Sequence, residues 1–325
     1  MSLRGAQRRS NDVAALIGSA RRESSILLRT GKIMQVAFLY ATIVLIWGST
    51  WIAITYQLGP VAEEVSVAYR FGMGSIALFA YAAISGRRVR IPLKSYGYIV
   101  LMGVLMYSTS YMFVYHATSY VTSGLVAVIF SLIVVSNAFF ERIFFHKPLE
   151  RRMMLASALG VGGVAVLFWP EVSSFDLGDQ TIIGVALATC SVVIASLGNM
   201  AAIINTTRDL PVIAVNAHAM AWGSVNSVVI ALLMGRSINF SFELSYVASL
   251  FYLAVFGSAI AFGAYLALLR LIGSARAAYT SVLFPIVALI ISTFFEDYQW
   301  STLAVAGIAL IAAGNWLALT KIRKE

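Results

Sequence analysis

Cysteine and charge are what this 325-residue chain has least of. Cys190 is its single cysteine, so no internal disulfide and no cysteine-based metal site can form. It lies inside an apolar run, where an inert packed thiol is the expected role. Charged residues make up only 11% of the chain, hydrophobic ones 60%, and the mean hydropathy is +0.86. A soluble domain carries about 25% charged residues, so this composition describes a polytopic membrane protein, and dividing it into soluble domains by length misleads. Other absences narrow the chemistry. There is no Walker loop, which argues against ATP-driven pumping. The three histidines are far apart and form no His-Glu-x-x-His pattern, which argues against a zinc intramembrane protease. No nucleophile–base pair is legible, so the chain is not read as an enzyme, and no cofactor or metal is expected. No signal-peptide core opens it. No carboxylate falls at the middle of an apolar run: Glu141 is near an inner end and Glu296 at an outer one. Obligate proton or sodium coupling usually uses a buried acid, so its lack favours facilitated movement or exchange, while His218 keeps proton coupling open.

What the chain does have is ten apolar runs, at about 34–57, 63–85, 95–116, 121–144, 152–169, 180–204, 211–234, 246–269, 275–295 and 301–320. Each is near the roughly 20 residues that span a bilayer core. Most are separated by short polar or basic turns, so the expected helices are packed neighbours in one bundle. Residues 1–33 differ. They carry Arg4, Arg8, Arg9, Arg21, Arg22, Arg29 and Lys32 against Asp12 and Glu23, and read as a basic cytoplasmic tail. Met34 is an alternative start. With the N-terminus inside and the runs alternating, 21 of the 23 lysines and arginines fall on the inner side. Only Arg236 falls outside, and Arg70 falls within the membrane. That bias is the expected signature of cytoplasmic loops. It also assigns the net charge of +9 to the membrane surface, not to nucleic acid.

An internal repeat underlies the runs. At an offset of 151, Pro60 falls on Pro211, Ser123 on Ser274, Ala127 on Ala278, Leu132 on Leu283 and Gly163 on Gly314. Ala156 falls on Gly307. At an offset of 150, Gly48 falls on Gly198 and Ile54 on Ile204, and Asn199 takes the place of Ser49. Five runs per copy is an odd number, so the second copy enters from the opposite side. Inverted repeats are an architecture of secondary transporters, with the substrate site near the midplane between them. The expected fold is thus all-α and integral to the membrane, with ten transmembrane helices as two inverted five-helix repeats and cytoplasmic N and C termini. The divisions are a tail at 1–33, repeat 1 at 34–169, repeat 2 at 170–320 and a cytoplasmic C-terminus at 321–325.

Several short stretches carry a resemblance. Leu45-Ile46-Trp47-Gly48-Ser49-Thr50-Trp51 resembles the Trp-Gly-Ser signature of the drug/metabolite transporter superfamily, in its EamA-type ten-helix branch. Tyr69-Arg70-Phe71 resembles that branch's arginine-bearing second helix. Leu283-Phe284-Pro285 followed by Glu296 resembles its ninth helix, and Gly307 and Gly314 resemble its tenth. The resemblance covers about residues 34–320. It implies a metabolite or amino-acid exporter, similar in size and topology to the bacterial aromatic amino acid exporters. It also implies a central cavity lined by helices 3, 4, 8 and 9, on which Ser131, Tyr265 and Tyr279 lie. Val134 stands where the proline of run 9 would map. The bend at Pro285 is therefore expected in one half only, as a hinge, with a straighter run 4.

Arg70 is the sharpest candidate. A charge deep in a span costs on the order of 2.5–3.5 kcal/mol, so it faces the bundle interior or a cavity. Two readings are open: an anion contact in the transport path, or a structural arginine that snorkels to Glu63 or Glu64 or bonds helix carbonyls. Tyr107, Tyr111 and Tyr115 recur every four residues on one face of run 3, and Tyr40, Trp47 and Trp51 share a face of run 1. Either can line a cavity or belong to the interfacial aromatic belt. His218, Trp222 and Asn226 share a face of run 7, where substrate contact and helix–helix bonding are both open. Tyr69 neighbours Arg70. His116 and His146, at helix ends, suggest nothing.

The reading is a secondary transporter in the bacterial inner (plasma) membrane, exporting small metabolites such as amino acids by alternating access. Its expected partners are the small-molecule substrate and the lipid bilayer, not nucleic acid, and its expected state is a monomer or weak homodimer. A sugar-phosphate or nucleotide-sugar exchanger would call for more cations in the cavity. A membrane assembly protein that does not transport is the other alternative.

Overall fold

The computed structural model describes residues 31–121, 123–148, 150–167, 169, 173, 179–208, 210–273, 276–277, 279–295 and 300–319. The expectations for most of the tail, for 321–325 and for Ser274, Ala278, Glu296 and Asp297 lie outside these residues. All regular structure among the described residues is helical. The helices are α1 (Gly31–Thr55), α2 (Glu63–Ile84), α3 (Leu93–Thr118), α4a (Ser123–Phe130), α4b (Ile133–Phe145) and α5 (Arg151–Leu167). They continue with α6 (Asp179–Thr207), α7 (Val212–Leu233), α8 (Leu244–Ile272), α9 (Thr280–Phe295) and α10 (Thr302–Leu319). Six of them (α1, α2, α3, α6, α7 and α8) are long and apolar enough to cross a membrane. In lipid, every backbone polar group must be bonded inside the protein, which is why a chain of this composition adopts helices.

Small residues set how these helices pack. In α2 and α7 the Ser75 hydroxyl donates to the Ala217 carbonyl at 2.8 Å, and the Ser224 hydroxyl donates to the Ala68 carbonyl at 2.8 Å. Positions rise along α2 as they fall along α7, so the two helices run antiparallel. A Cβ on Gly74 would meet the Ala254 carbonyl and Ser258 on α8, each at 3.3 Å; one on Gly223 would meet Tyr107 and Gly103 on α3, within 2.9 Å. The α5–α10 crossing is closer still. A Cβ on Gly163 would stand 2.7 Å from the Gly307 carbonyl, and one on Gly314 would stand 2.8 Å from the Ala156 carbonyl. These are backbone atoms, so no side-chain rotation relieves the clash.

Two helices change their winding midway. α3 passes through a π-helical turn at Leu105–Thr109, and α8 does so at Leu253–Ile260. A wider turn re-aims side chains and frees carbonyls, and such turns are frequent at functional sites. The expectation of a straight run 4 is not met. Leu132 N–H bonds back to the Ile129 carbonyl at 3.0 Å and Val134 N–H to the Ser131 carbonyl at 3.3 Å, a tight turn that separates α4a from α4b. α9, in contrast, continues through Pro285 as helix from Thr280 to Phe295. The proline sits in the second turn, where only the bond to Ser281 is lost.

Adjacent glycines on α5 test this packing. Gly162 faces open space within 4 Å, unlike Gly163. Gly162→Ala is expected to raise thermal stability in detergent, by up to about 1 kcal/mol from helix propensity. Gly163→Ala is expected to lower it by about 1–3 kcal/mol from overpacking. Equal shifts of the two would contradict the close crossing.

Candidate functional site

A cavity of about 60 Å³ lies where α1, α3, α4, α6, α8 and α9 converge. Trp47, Thr50, Trp51 and Ile54 line it from α1, and Met106, Ser110, Tyr111 and Val114 from α3. The broken α4 contributes Phe130 and Ile133 from either side of its turn. Ala195 and Asn199 come from α6, Phe262 and Tyr265 from α8, and Thr280, Ser281 and Phe284 from α9. The wall is mostly aromatic and aliphatic with a few polar groups, the usual constitution of a small-molecule site.

Aromatic packing fixes the wall. Phe262 sits edge-on to Trp47 at 5.0 Å and to Tyr107 at 4.8 Å. Trp47 tilts against Tyr265 at 5.3 Å, and Trp51 against Phe284 at 5.5 Å. The π turn of α8 supplies polar anchors. The Trp47 indole donates to the Gly257 carbonyl at 3.2 Å, and the Ser258 hydroxyl donates to the Leu253 carbonyl at 2.9 Å. The π turn of α3 does likewise: Tyr107 donates to Asn216 Oδ1 at 2.6 Å, and Ser108 pairs with Ser227 at 2.8 Å. Asn199 donates to Asn137 Oδ1 at 3.2 Å, while its own buried Oδ1 has no hydrogen-bond partner among the described residues.

Of the residues singled out from sequence, Trp47, Trp51, Tyr111, Asn199 and Tyr265 line the cavity. Arg70 is fully buried one layer behind it, with its guanidinium 4.5 Å from the Tyr111 ring. Tyr107 is a buried packing and hydrogen-bonding residue behind Phe262. Ser131 is buried in the α4 turn, and Pro285 is buried beside the cavity residue Phe284. Tyr279 is buried just ahead of α9, next to Thr280. Three lie elsewhere. Tyr69 donates to the Asn239 carbonyl at 3.0 Å and packs against Phe240 in the α7–α8 connection. His218 lies between Tyr96, at 3.2 Å, and the Val89 carbonyl, at 3.0 Å, and so ties α7 to the α2–α3 connection. Trp222 is 41% exposed on the outside of the bundle. Phe262 was missed because a phenylalanine in an apolar run carries no signal of its own. Its spacing of three from Tyr265 is the clue that was available.

Two further features bracket the cavity. At the α1–α2 end, Glu64 is only 1% exposed and receives His116 Nε2 at 2.7 Å, with Arg236 Nε at 3.7 Å from its other oxygen. His116 therefore has a partner that its position in the sequence did not reveal. Glu63, Glu64 and His116 offer ligand atoms within 4.8 Å of one another, the one such cluster among the described residues. Arg236 already supplies positive charge there, which makes the group an ion-pair network joining α2, α3 and the α7–α8 connection, not a cation site. Toward the other end, a cavity of about 670 Å³ opens between α4b, α5 and the residues Ile272, Gly273 and Arg276. Glu141, Lys147 and Arg276 lie on its wall, and Lys147 bonds Glu141 at 3.0 Å.

Comparison with known proteins decides the family. The model of the EamA-like transporter family matches residues 34–169 and again residues 182–320. The chain belongs to the EamA-like transporter family. A protein of Archaeoglobus fulgidus named as an uncharacterized transporter is 22% identical over 281 residues, 86% of this chain and 97% of that one. The Escherichia coli K12 protein named as the uncharacterized inner membrane transporter YedA is 24% identical over 283 residues, 84% of this chain and 89% of that one. A solved crystal structure superposes with a TM-score of 0.71 at 17% identity, covering 87% of this chain and 96% of its own, which shows a shared fold. The protein is thus a multi-pass membrane protein of a transporter family.

The Glu64 network yields a ranking. His116→Ala leaves a buried carboxylate without its short bond and is expected to cost about 1–3 kcal/mol. Arg236→Ala removes a longer contact from a side chain that is 44% exposed, and is expected to cost less than about 1 kcal/mol. Thermal melts in detergent check the order, and the reverse order would contradict this geometry.

Proposed function

We propose that the protein is a secondary transporter that exports small metabolites, amino acids foremost, across the inner membrane by alternating access through the central cavity. The observation that carries this reading is the cavity wall itself. It is built from both parts of the chain that the family model matches, and it is aromatic with few polar groups. Such a wall binds an amphipathic solute without holding it permanently. At about 60 Å³ it has room for only a few waters, whereas pockets for small ligands run to roughly 300–1,000 Å³. The cavity must widen to take a solute, so transport requires helix movement.

The architecture in this reading is two inverted five-helix halves, at 34–169 and 170–320, with ten spans and both termini cytoplasmic. Its support is the packing at the helix crossings. Shifting positions 68 and 75 by 149 gives 217 and 224, so the two serine–carbonyl bonds between α2 and α7 exchange under the repeat. The same shift carries Gly74 to Gly223, and a shift of 151 relates their partners Gly103 and Tyr107 to Ala254 and Ser258. Gly163 and Gly314 are related by 151 as well, and the α3 π turn shifted by 151 falls on 256–260, within the π turn of α8. Antiparallel contacts that exchange in this way belong to a two-fold axis lying in the membrane plane. With the lysine and arginine bias setting the sides, the Glu64–His116 end is outer and closed, and the end with the 670 Å³ cavity is inner. Alternating access needs two unequal ends of this kind. The protein acts as a monomer or weak homodimer in the bilayer, with the solute as its partner. A sugar-phosphate or nucleotide-sugar exchanger fits less well, because no lysine or arginine is among the described residues lining the central cavity.

Reconstitution tests this directly. Counterflow in proteoliposomes against a panel of amino acids, sugar phosphates and nucleotide sugars is expected to show movement of amino acids. Phe262→Trp, which fills the cavity, is expected to reduce it at least about tenfold while the protein remains folded. Movement of sugar phosphates alone would refute the substrate class, and movement of no solute would refute transport.

A further inference from the structure

Arg70 donates from Nε to the Ser258 hydroxyl at 3.1 Å and lies beside the Tyr111 and Tyr115 hydroxyls, while its Nη1 has no hydrogen-bond partner among the described residues. No ion pair forms at Arg70 among them either. The nearest acid along the helix, Glu64, is already engaged by His116 and Arg236, so the snorkelling alternative does not operate. A buried cation without a counter-charge carries a desolvation cost that rings alone do not offset. The packing does not demand it: the position related to Arg70 by the α2–α7 repeat is Ala219, and the equivalent crossing of α7 with α3 closes without any charge. The charge is therefore an addition to one half.

From these observations we infer that Arg70, with the Tyr115 hydroxyl, forms a carboxylate-binding subsite at the outer edge of the cavity, so that the solute carried is a carboxylate. This rests on the transport reading above. Tyr115 is fully buried, and its hydroxyl, which makes no well-aligned hydrogen bond among the described residues, lies within hydrogen-bonding reach of Arg70. A guanidinium edge and a phenol together match the two oxygens of a carboxylate. One cation suits a monoanion; a phosphate dianion calls for more. Access runs past Tyr111, which lines the cavity on one side and stacks on the guanidinium on the other. Thr50, another lining residue, and Arg70 Nη2 both converge on Gly257, at 2.9 and 3.4 Å from where a Cβ there would stand. Rotation of the Tyr111 ring would thus expose the guanidinium to the cavity.

The test uses thermal melts of the purified full-length protein with amino acids and their carboxamides as matched probes, in chloride and in gluconate. At least one amino acid is expected to protect the wild type at concentrations about tenfold or more below those its carboxamide needs, as for a charge-assisted bond. Arg70→Gln is expected to abolish that difference while melting no lower than wild type, and Tyr115→Phe to narrow it. Equal protection by acid and carboxamide in the wild type overturns the proposal, as does equal loss of both in Arg70→Gln. Protection that follows chloride and ignores the probes overturns it in favour of an inorganic anion. If Arg70→Gln does not fold, an undiminished acid preference in Tyr115→Phe counts against the subsite and a narrowed one supports it. Carboxamides that bind and are transported as well as the acids leave the transport reading standing while this inference falls; protection by no probe overturns the inference.

Discussion

The pair of hydrogen bonds between α2 and α7, Ser75 to the Ala217 carbonyl and Ser224 to the Ala68 carbonyl, is the contact on which the rest of the structure depends. Lipid tails are as apolar as leucine, so burial alone does not drive helices together, and close packing and interhelical bonds must do so. Serine, alanine and glycine at these positions let the two backbones approach. The glycines beside them then admit α8 against α2 and α3 against α7. The two helices carrying π turns, α8 and α3, are thereby packed against α2 and α7 respectively. The cavity lies between them, and its polar anchors, Gly257, Ser258 and Tyr107, come from the turns themselves.

This framework also explains the distribution of charge. The helix crossings repeat between the two parts of the chain, but the ionisable residues Glu64, His116 and Arg70 do not. Glu64, His116 and Arg70 have Ile213, Ala267 and Ala219 at related positions. Features common to both halves hold the bundle together, and features confined to one half distinguish its two ends. The Glu64 network ties one end together with an ion pair whose carboxylate is out of water, while the other end is held by contacts such as Arg270 with the Leu210 carbonyl.

Much of the helical framework was legible in the sequence, because hydropathy reports span length and small residues report close packing. Gly163 and Gly314, which the internal repeat pairs, lie with Gly307 in one helix crossing. Rotation of each helix was less legible. His218, Trp222 and Asn226 do share a face by their spacing, yet spacing does not say which neighbour that face meets. The break in α4 falls at Ser131-Leu132, with neither proline nor glycine to announce it, and π turns leave no periodic trace over one turn. Phe262 was hidden among apolar neighbours, and His116 found its partner, Glu64, only through folding, since the two are 52 residues apart.

The central claim is that one cavity faces each side of the membrane in turn. It is tested most directly by a single cysteine at Ser110, a lining residue, in a Cys190→Ser background. A membrane-impermeant maleimide would be applied to right-side-out and to inside-out vesicles, each with and without a transported solute. The account predicts modification from both sides, with the solute changing both rates. Modification from one side only, whatever solute is present, would contradict it.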